Sequence, residues 1–429
     1  MKPLKLGIAG LGTVGVGVVK LLAAHADLIT ARAGRPIIVK AVSARTPGRD
    51  RGVSLDGLTW YEDAVSLAHD PEVDVVVELI GGSEGKAKEL AEASIAAKKP
   101  FITANKALLA VHGVALAKAA EAQNVPIAFE AAVAGGIPVI KALREGLAAN
   151  KVSRVAGILN GTCNYILTIM REEGRGFSEV LADAQRLGYA EADPSFDIDG
   201  VDAAHKLAIL AGLAFGARID FAALHIEGIR RVSALDIAFA QELGYRIKLL
   251  GVAQQNEQGI SLRVHPAMVP QDQPIATVDG VFNAVLLEGD FSGPVFLRGR
   301  GAGEGPTASA VVADLIDLAR GIHLPIWGTV ESELADAKIV PMADLTSAYF
   351  LRLSVVDQPG VLADVTSLLR DEGISLESML QHGRKPGEAV PIVLVTHETP
   401  ESAVTAALAK IAMLPAVLEP PAIIRIESK

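Results

Sequence analysis

A single cysteine, Cys163, serves all 429 residues, so no disulfide can close within the chain, and a cytosolic setting is expected. Basic charge is in deficit: 40 Lys and Arg against 50 Asp and Glu leave a formal net charge of −10. That balance argues against a nucleic acid or an anionic membrane as partner, while leaving room for a small anion in a local basic pocket. No apolar run reaches the roughly 18 residues that a bilayer span requires. The opening MKPLKLGIAGLG is apolar like a short signal segment. It lacks a cleavage site and leads straight into a glycine motif, so it reads as a first strand. Aromatic residues are scarce at 4%, yet half the chain is hydrophobic. A core built from Ala, Val, Leu and Gly fits α/β domains with buried parallel strands. The length allows two or three such domains.

Residues 4–9 read as a strand that runs into Gly10-Leu11-Gly12-Thr13-Val14-Gly15 and then an apolar helix. Glycines at this spacing between strand and helix form the dinucleotide-binding fingerprint. Gly10 permits the tight turn, Gly12 lets backbone approach a pyrophosphate, and Gly15 lets helix pack on strand. The helix N-terminus offers free N–H groups to the phosphates. The second strand, 37–42, ends in Ser43-Ala44-Arg45 instead of the acidic residue that would bind a ribose 2′-hydroxyl. Arg45, with Arg49 and Arg51 nearby, either holds a 2′-phosphate, which favours NADP over NAD, or is a solvated loop charge. Strands at 73–79, 100–104 and 125–130 alternate with helices at 86–99 and 107–123. This alternation predicts a doubly wound, Rossmann-type domain over residues 1–135. Lys106 falls just past a strand end, the edge where such sheets bind ligands.

Glu130 precedes a loop of small residues, Ala131 to Gly136. A carboxylate among backbone carbonyls can hold a hard cation; the other reading is an ordinary strand-to-helix turn. Cys163 lies in the turn Asn160-Gly161-Thr162-Cys163-Asn164 after a strand at 151–159. No activating base is near in sequence, so a buried thiol is expected there and not a nucleophile. Ser178 is the expected N-cap of a helix over 178–187.

The segment 188–206, GYAEADPSFDIDGVDAAHK, is the chemical centre of the chain. It carries Glu191, Asp193, Asp197, Asp199 and Asp202 and ends in Lys206. A helix beginning after Gly200 sets Asp202 and Lys206 four residues apart on one face. A carboxylate there can orient an amine for proton transfer; a surface ion pair of little consequence is the alternative. A calcium loop is excluded, because Gly200 comes too early and the twelfth position from Asp197 is Ala208 instead of Glu.

Strand patterns at 244–255, 260–270, 282–290 and 294–299 predict a second, largely antiparallel sheet, so 136–330 is expected to be an α+β domain. The glycine-rich 299–305 opens a helix that can pack back on the first domain. Residues 331–347 read as a polar linker. From 348 to 429, strands at 349–356, 390–397 and 422–428 and helices at 361–375 and 401–414 suggest a small βαββαβ domain.

Seven stretches together resemble homoserine dehydrogenases of the long form, which carry a C-terminal ACT domain. They are GLGTVG (10–15), TANKALLA (103–110), FEAAVAGGIPVI (129–140), GILNGTCNYIL (157–167), the 188–206 segment, GRGAGEGPTASAVVADL (299–315) and DQPGVLA (357–363). The NGT-x-NYIL and GYAEADP…D-x-x-HK motifs are highly specific; the glycine fingerprint is not. The resemblance implies reversible NAD(P)H-dependent interconversion of L-aspartate 4-semialdehyde and L-homoserine, a step shared by threonine and methionine biosynthesis. It implies that Lys206 is the proton donor and Lys106 a second active-site lysine beside nicotinamide and substrate. Asp202 and Glu191 bind the substrate's amino end or orient Lys206, with Asp197 in support. Gly188 and Gly303 approach substrate and cofactor, and Thr13 and Val14 lie in the fingerprint. A monovalent cation, expected to be Na+, would rest on Glu130, Val133, Gly135 and Ile137 and brace the two domains. A homodimer through the second sheet is implied, with helix 306–320 on the first domain. Threonine is the expected effector, near the turn Asp357–Gly360 of the ACT domain. Two rival readings are a phosphorylating semialdehyde dehydrogenase, which would need Cys163, and a non-catalytic sensor of dinucleotide and amino acid.

Overall fold

The computed structural model describes residues 2–383 and 386–427. The N-terminal domain is a parallel sheet of β1 (Leu4–Ala9), β2 (Ile37–Ser43), β3 (Thr59–Tyr61), β4 (Val75–Glu78), β5 (Phe101–Thr103) and β6 (Ile127–Ala128). Its order, β3-β2-β1-β4-β5-β6, is that of a dinucleotide-binding fold, with the switch point between β1 and β4. β4 reads VVVE because all four residues are buried between helices on both faces. Helix Glu304–Ala319 lies along helix Thr13–Ala24; a Cβ on Gly17 would come 2.6 Å from Glu304 Cγ, so glycine sets this close approach. Val18 and Leu22 share a core with Ala308, Val311 and Leu315.

The rest of the chain builds around one mixed sheet of eleven strands. Its main path runs Gly293–Arg300, Phe282–Gly289, Val152–Ile158, Tyr245–Asn256, Gly259–Pro270, Ala422–Ile426, Thr346–Val356, Ala389–Thr396, Leu376–Gln381. The first five strands are antiparallel neighbours of the catalytic domain, and the last four belong to the C-terminal domain. The two halves join where Gly259–Pro270 runs parallel to Ala422–Ile426, pairing Ala267 with Arg425 and Met268 with Ile426. Helix Val201–Phe215 packs on this sheet and is buried from Asp202 to Gly212.

Local differences from the sequence reading have physical causes. Helix Phe177–Arg186 is capped by Gly176 in extended conformation, so Ser178 sits inside the helix and bonds no free N–H there. The helix after Gly360 ends at Asp371, because Gly373 turns with φ +71° into strand Leu376–Gln381. That strand alternates half-buried and exposed residues along LESMLQ. Segment 331–347 is tied down: Ala335–Asp336 pairs with Ala217–Arg218, the Ile260 N–H donates to the Lys338 carbonyl, and the Ile260 carbonyl accepts the Val340 N–H. Ser428, at the end of the expected last strand, lies outside the described residues. Among the described residues no single helix is long and apolar enough to cross a membrane; Thr13–Ala24 and Ala26–Ala33 reach that length only as a pair bent by 84°.

Candidate active site

A cleft of about 760 Å³ opens over the C-terminal ends of β1, β2 and β4. Gly10 takes φ +102°, and a Cβ there would press within 2.5 Å of the Leu79 carbonyl. A Cβ on Gly15 would overlap the Gly10 carbonyl, whereas one on Gly12 would meet nothing within 4 Å. The motif is thus crowded by protein at its first and last glycines and open at its middle one, as backbone contact with a pyrophosphate requires. Thr13 and Val14 form the first turn of the following helix. Arg45 and Arg49 are exposed on the far rim. Arg51 shapes that rim by donating to the carbonyls of Thr46 (2.7 Å) and Arg49 (2.9 Å) while lying 5.4 Å from the Trp60 ring centroid. Glu62 and Asp63 also line the cleft; Asp63 pairs with Lys86 at 3.4 Å. Gly303, at φ +117°, caps helix Glu304–Ala319.

A second cavity of about 400 Å³ lies between the N-terminal and catalytic domains, walled by Gly81, Gly82, Lys106, Phe196 and His205. The loops after β4 and β5 are rigidly built. Buried Glu78 accepts the N–H groups of Ile80 and Gly81 and the hydroxyl of Thr103. Asn105 caps the helix that Lys106 begins, accepting from Leu108 N–H at 3.1 Å and donating to the Gly82 carbonyl at 2.7 Å. Lys106 is thereby aimed across the domain boundary, where its Nζ lies 3.0 Å from Asp202 Oδ1. From the other side Lys206 Nζ donates to Asp202 Oδ2 and to the Leu159 carbonyl, each at 2.7 Å. Burial works to raise the Asp202 carboxyl, but Lys206 and Lys106 overcome it and hold the group well below the usual carboxylate range. One buried carboxylate therefore bridges two lysines drawn from two domains.

Three residues not singled out in the sequence complete this cluster. Asn160 donates to Asp197 Oδ1 and Asp202 Oδ2, both at 2.8 Å. His205 is buried between Phe196 (5.6 Å between centroids) and Phe221 (4.3 Å), walls the cavity, and has its pKa lowered by burial. Phe196 also lies 5.6 Å beneath the Lys106 ammonium. The NGT-x-NYIL and D-x-x-HK motifs could have flagged Asn160 and His205, whereas Phe196 stands in neither. Asp197 is raised by burial and by Asp202, with the Asn160 amide opposing. The Glu191 side chain and Gly188 are not part of this contact set: both are exposed on the loop that precedes Asp193. That loop is tied to helix Gly161–Glu173 by the Thr162 hydroxyl on the Tyr189 carbonyl (2.8 Å) and by the Tyr165 and Tyr189 rings. Cys163 is fully buried, its thiol donates to the Asp197 carbonyl, and burial followed by the nearby acids raises it well above an ordinary thiol. It has no thiolate to offer as a nucleophile.

Glu130 is also buried. Its two oxygens accept N–H groups of Ile140 (3.0 Å) and Lys141 (2.9 Å), and its own N–H donates to Asp314. Burial, then Asp314, raises it to about 7. Val133 and Ile137 are buried, and at Gly135, with φ +37°, a Cβ would come within 2.6 Å of the Gly301 carbonyl. Among the described residues no group of three or more His, Cys, Asp or Glu is arranged to hold a metal.

Comparison with known proteins agrees along the whole chain. The model of the homoserine dehydrogenase NAD-binding domain matches residues 10–130, that of homoserine dehydrogenase residues 138–316, and that of the ACT domain residues 349–412. The homoserine dehydrogenase of Pseudomonas aeruginosa is 48% identical over 434 residues, covering 100% of this chain and 99% of that protein. That of Neisseria gonorrhoeae is 46% identical over 434 residues with the same coverage. The crystal structure of a homoserine dehydrogenase from Thiobacillus denitrificans superposes with a TM-score of 0.94 at 49% identity, over 100% of this chain and 99% of the other. A hyperthermophilic archaeal homoserine dehydrogenase in complex with NADPH gives a TM-score of 0.65 at 25% identity, over 75% of this chain and 99% of that one. The chain therefore belongs to the homoserine dehydrogenases, NAD(P)-dependent oxidoreductases acting on a CH–OH group, and carries their C-terminal ACT domain.

Proposed function

We propose that Lys206 is the proton donor in the reduction of L-aspartate 4-semialdehyde to L-homoserine, with Asp202 and Lys106 completing the site. The observation that carries this reading is the bridge of Asp202 to both lysines beside the cavity. When bound, the dinucleotide supplies the hydride that adds to the aldehyde carbon. The carbonyl oxygen then takes a proton from the Lys206 ammonium, leaving a primary alcohol and a neutral amine. Two of the three N–H bonds of Lys206 are committed to Leu159 and Asp202, which leaves one for that oxygen. Asp202 stays ionised throughout and holds Lys206 in line. In the reverse direction the neutral amine removes the hydroxyl proton. Lys106 places a second positive charge beside the cavity, where oxyanion character develops. Glu191 and Gly188, on the exposed loop, meet the substrate's amino-acid end.

NADP is the favoured cofactor, with NAD also accepted. In support, β2 ends without an acid, Arg45 and Arg49 are exposed on the rim of the cleft, and Lys86 offsets Asp63. The NADPH complex of the archaeal relative agrees. Thr13, Val14, Gly303 and Lys106 are the remaining cofactor contacts. A monovalent cation, Na+, would be held by Glu130 with the backbone of Val133, Gly135 and Ile137. The chemistry fits, because Glu130 and Asp314 are two buried acids facing one lysine, Lys141, and a further positive charge relieves them. The outer edge of strand Gly293–Arg300, which pairs with no further strand among the described residues, lies beside the exposed Phe291 and supports a homodimer through this sheet. The lone free cysteine fits a cytoplasmic enzyme of threonine and methionine biosynthesis. Threonine bound near Asp357–Gly360 of the ACT domain regulates it.

The test is steady-state NADPH and NADH oxidation with L-aspartate 4-semialdehyde, on wild type and Arg45→Ala, with and without threonine and Na+. Preference for NADPH that Arg45→Ala erodes, and inhibition by threonine, are expected. Equal use of both cofactors by both proteins would remove the 2′-phosphate role, and indifference to threonine would remove the effector.

A further inference from the structure

Strand Val152–Ile158 delivers two consecutive residues, Leu159 and Asn160, to the heart of the cluster. The Leu159 carbonyl accepts a hydrogen bond from Lys206. Asn160, 4% exposed, is the N-cap of helix Gly161–Glu173: its Oδ1 accepts the Cys163 N–H at 2.8 Å. That bond decides which way the amide faces, because the oxygen must point at the helix and the NH2 group must point away from it. The NH2 group meets Asp197 Oδ1 and Asp202 Oδ2, both at 2.8 Å, so each of its hydrogens serves one carboxylate. Asp202 Oδ2 is the same oxygen that holds Lys206.

Two carboxylate oxygens gathered on one nitrogen repel each other, and burial makes that repulsion strong. Around them stand Lys206 and Lys106, both engaged with Asp202, and no cation pairs with Asp197 among the described residues. Without the amide hydrogens the pair would relax by moving apart or by taking a proton. Either change loosens the oxygen that aims Lys206.

We propose that Asn160 is a positioning residue for proton transfer: its NH2 group clamps Asp197 and Asp202 together and so fixes Asp202 beneath the Lys206 ammonium. Its role depends on Lys206 being the donor. Helix capping alone would need only the side-chain oxygen, and Ser or Asp fills that need about as well as Asn. The clamp needs the two N–H bonds, which neither supplies.

The experiment compares full-length wild type with Asn160→Ser, Asn160→Asp, Asn160→Ser/Asp197→Asn and Lys206→Met, measuring kcat, KM for L-aspartate 4-semialdehyde, and the pH–rate profile. NADPH affinity checks that each variant is folded. Asn160→Ser is expected to lose about tenfold to hundredfold in kcat with little change in KM, and its acid limb is expected to move to higher pH. Asn160→Asp, which crowds a third carboxylate into the pair, is expected to fall further. Asp197→Asn in the Ser background is expected to recover about tenfold, because it removes one of the two repelling charges. Wild-type kcat and pH profile in Asn160→Ser would overturn the clamp, and so would an impaired Asn160→Ser that Asp197→Asn fails to rescue. If Lys206→Met retains turnover, the reading of the donor fails; normal Asn160 variants beside an inactive Lys206→Met remove only the role of Asn160.

Discussion

At one end of the catalytic domain, Lys106 and Lys206 share the carboxylate of Asp202 next to a cavity that Lys106 lines, and among the described residues Lys206 makes two of its three possible N–H bonds. At the other end, strand Ala422–Ile426 carries Arg425 into a network of paired carboxylates. Its guanidinium bonds Glu401 (2.9 and 2.5 Å) and Glu227 (3.0 and 2.9 Å). Nearby, Glu427 takes Arg263 at 2.6 Å and Arg154 at 3.2 Å, and the Tyr349 hydroxyl donates to Glu401. Burial opposes charge at both ends. At the ACT junction Arg425 spends four N–H bonds on two carboxylates, and the sheet runs on through Ala267 and Met268. At the nucleotide junction two lysines share one carboxylate, and Lys106 borders the cavity. Paired guanidinium–carboxylate bonds brace a junction of two domains, whereas two amines that share one carboxylate keep N–H groups for a substrate.

The largest effect expected from breaking the comparison is at Asp202. Asp202→Asn leaves two lysines without their shared counterion, and kcat is expected to fall about thousandfold in a steady-state assay. The ACT junction should answer in stability instead. Arg425→Ala strands Glu227 and Glu401 in the interior and is expected to cost about 3–5 kcal/mol in urea unfolding, with NADPH affinity unchanged in the folded enzyme.

A smaller effect follows from Glu130. Burial and Asp314 raise its carboxyl from the ordinary 4.5 to about 7, so between those pH values the native state keeps a proton that the unfolded chain releases. Stability is then full below pH 4.5 and falls as pH rises through 7, by on the order of 3 kcal/mol. A bound cation favours the ionised carboxylate, so Na+ is expected to flatten that slope in thermal melts where choline chloride does not. The smallest effect is at Cys163. Cys163→Ala is expected to keep near-normal turnover and to lose only about 1 kcal/mol of stability; loss of activity would revive a thiol mechanism.

Much of this was legible in the sequence because it is local. The glycine fingerprint sits between one strand and one helix, and the spacing of four puts Asp202 and Lys206 on one helical face. What was not legible depends on residues distant in the chain. Nothing near Lys106 announces that it reaches Asp202, and nothing near Asn160 announces two aspartates 37 and 42 residues away. Segment 331–347 looked like a linker because its composition is polar, yet its backbone pairs with strands from elsewhere. Strand Leu376–Gln381 was hidden because an edge strand needs only one apolar face, and LESMLQ mixes the two. Ser178 misled because capping is decided by the backbone conformation at Gly176, which propensity alone does not reveal.

The most direct test of the account is a single turnover of enzyme-bound NADPH with L-aspartate 4-semialdehyde, comparing wild type with Lys206→Met. A single turnover isolates the chemical step from product release. The account expects the rate to fall by about a hundredfold to ten-thousandfold while the Kd for NADPH is unchanged. A Lys206→Met rate within about threefold of wild type would contradict it, because an effect that small is far below the contribution of a general acid.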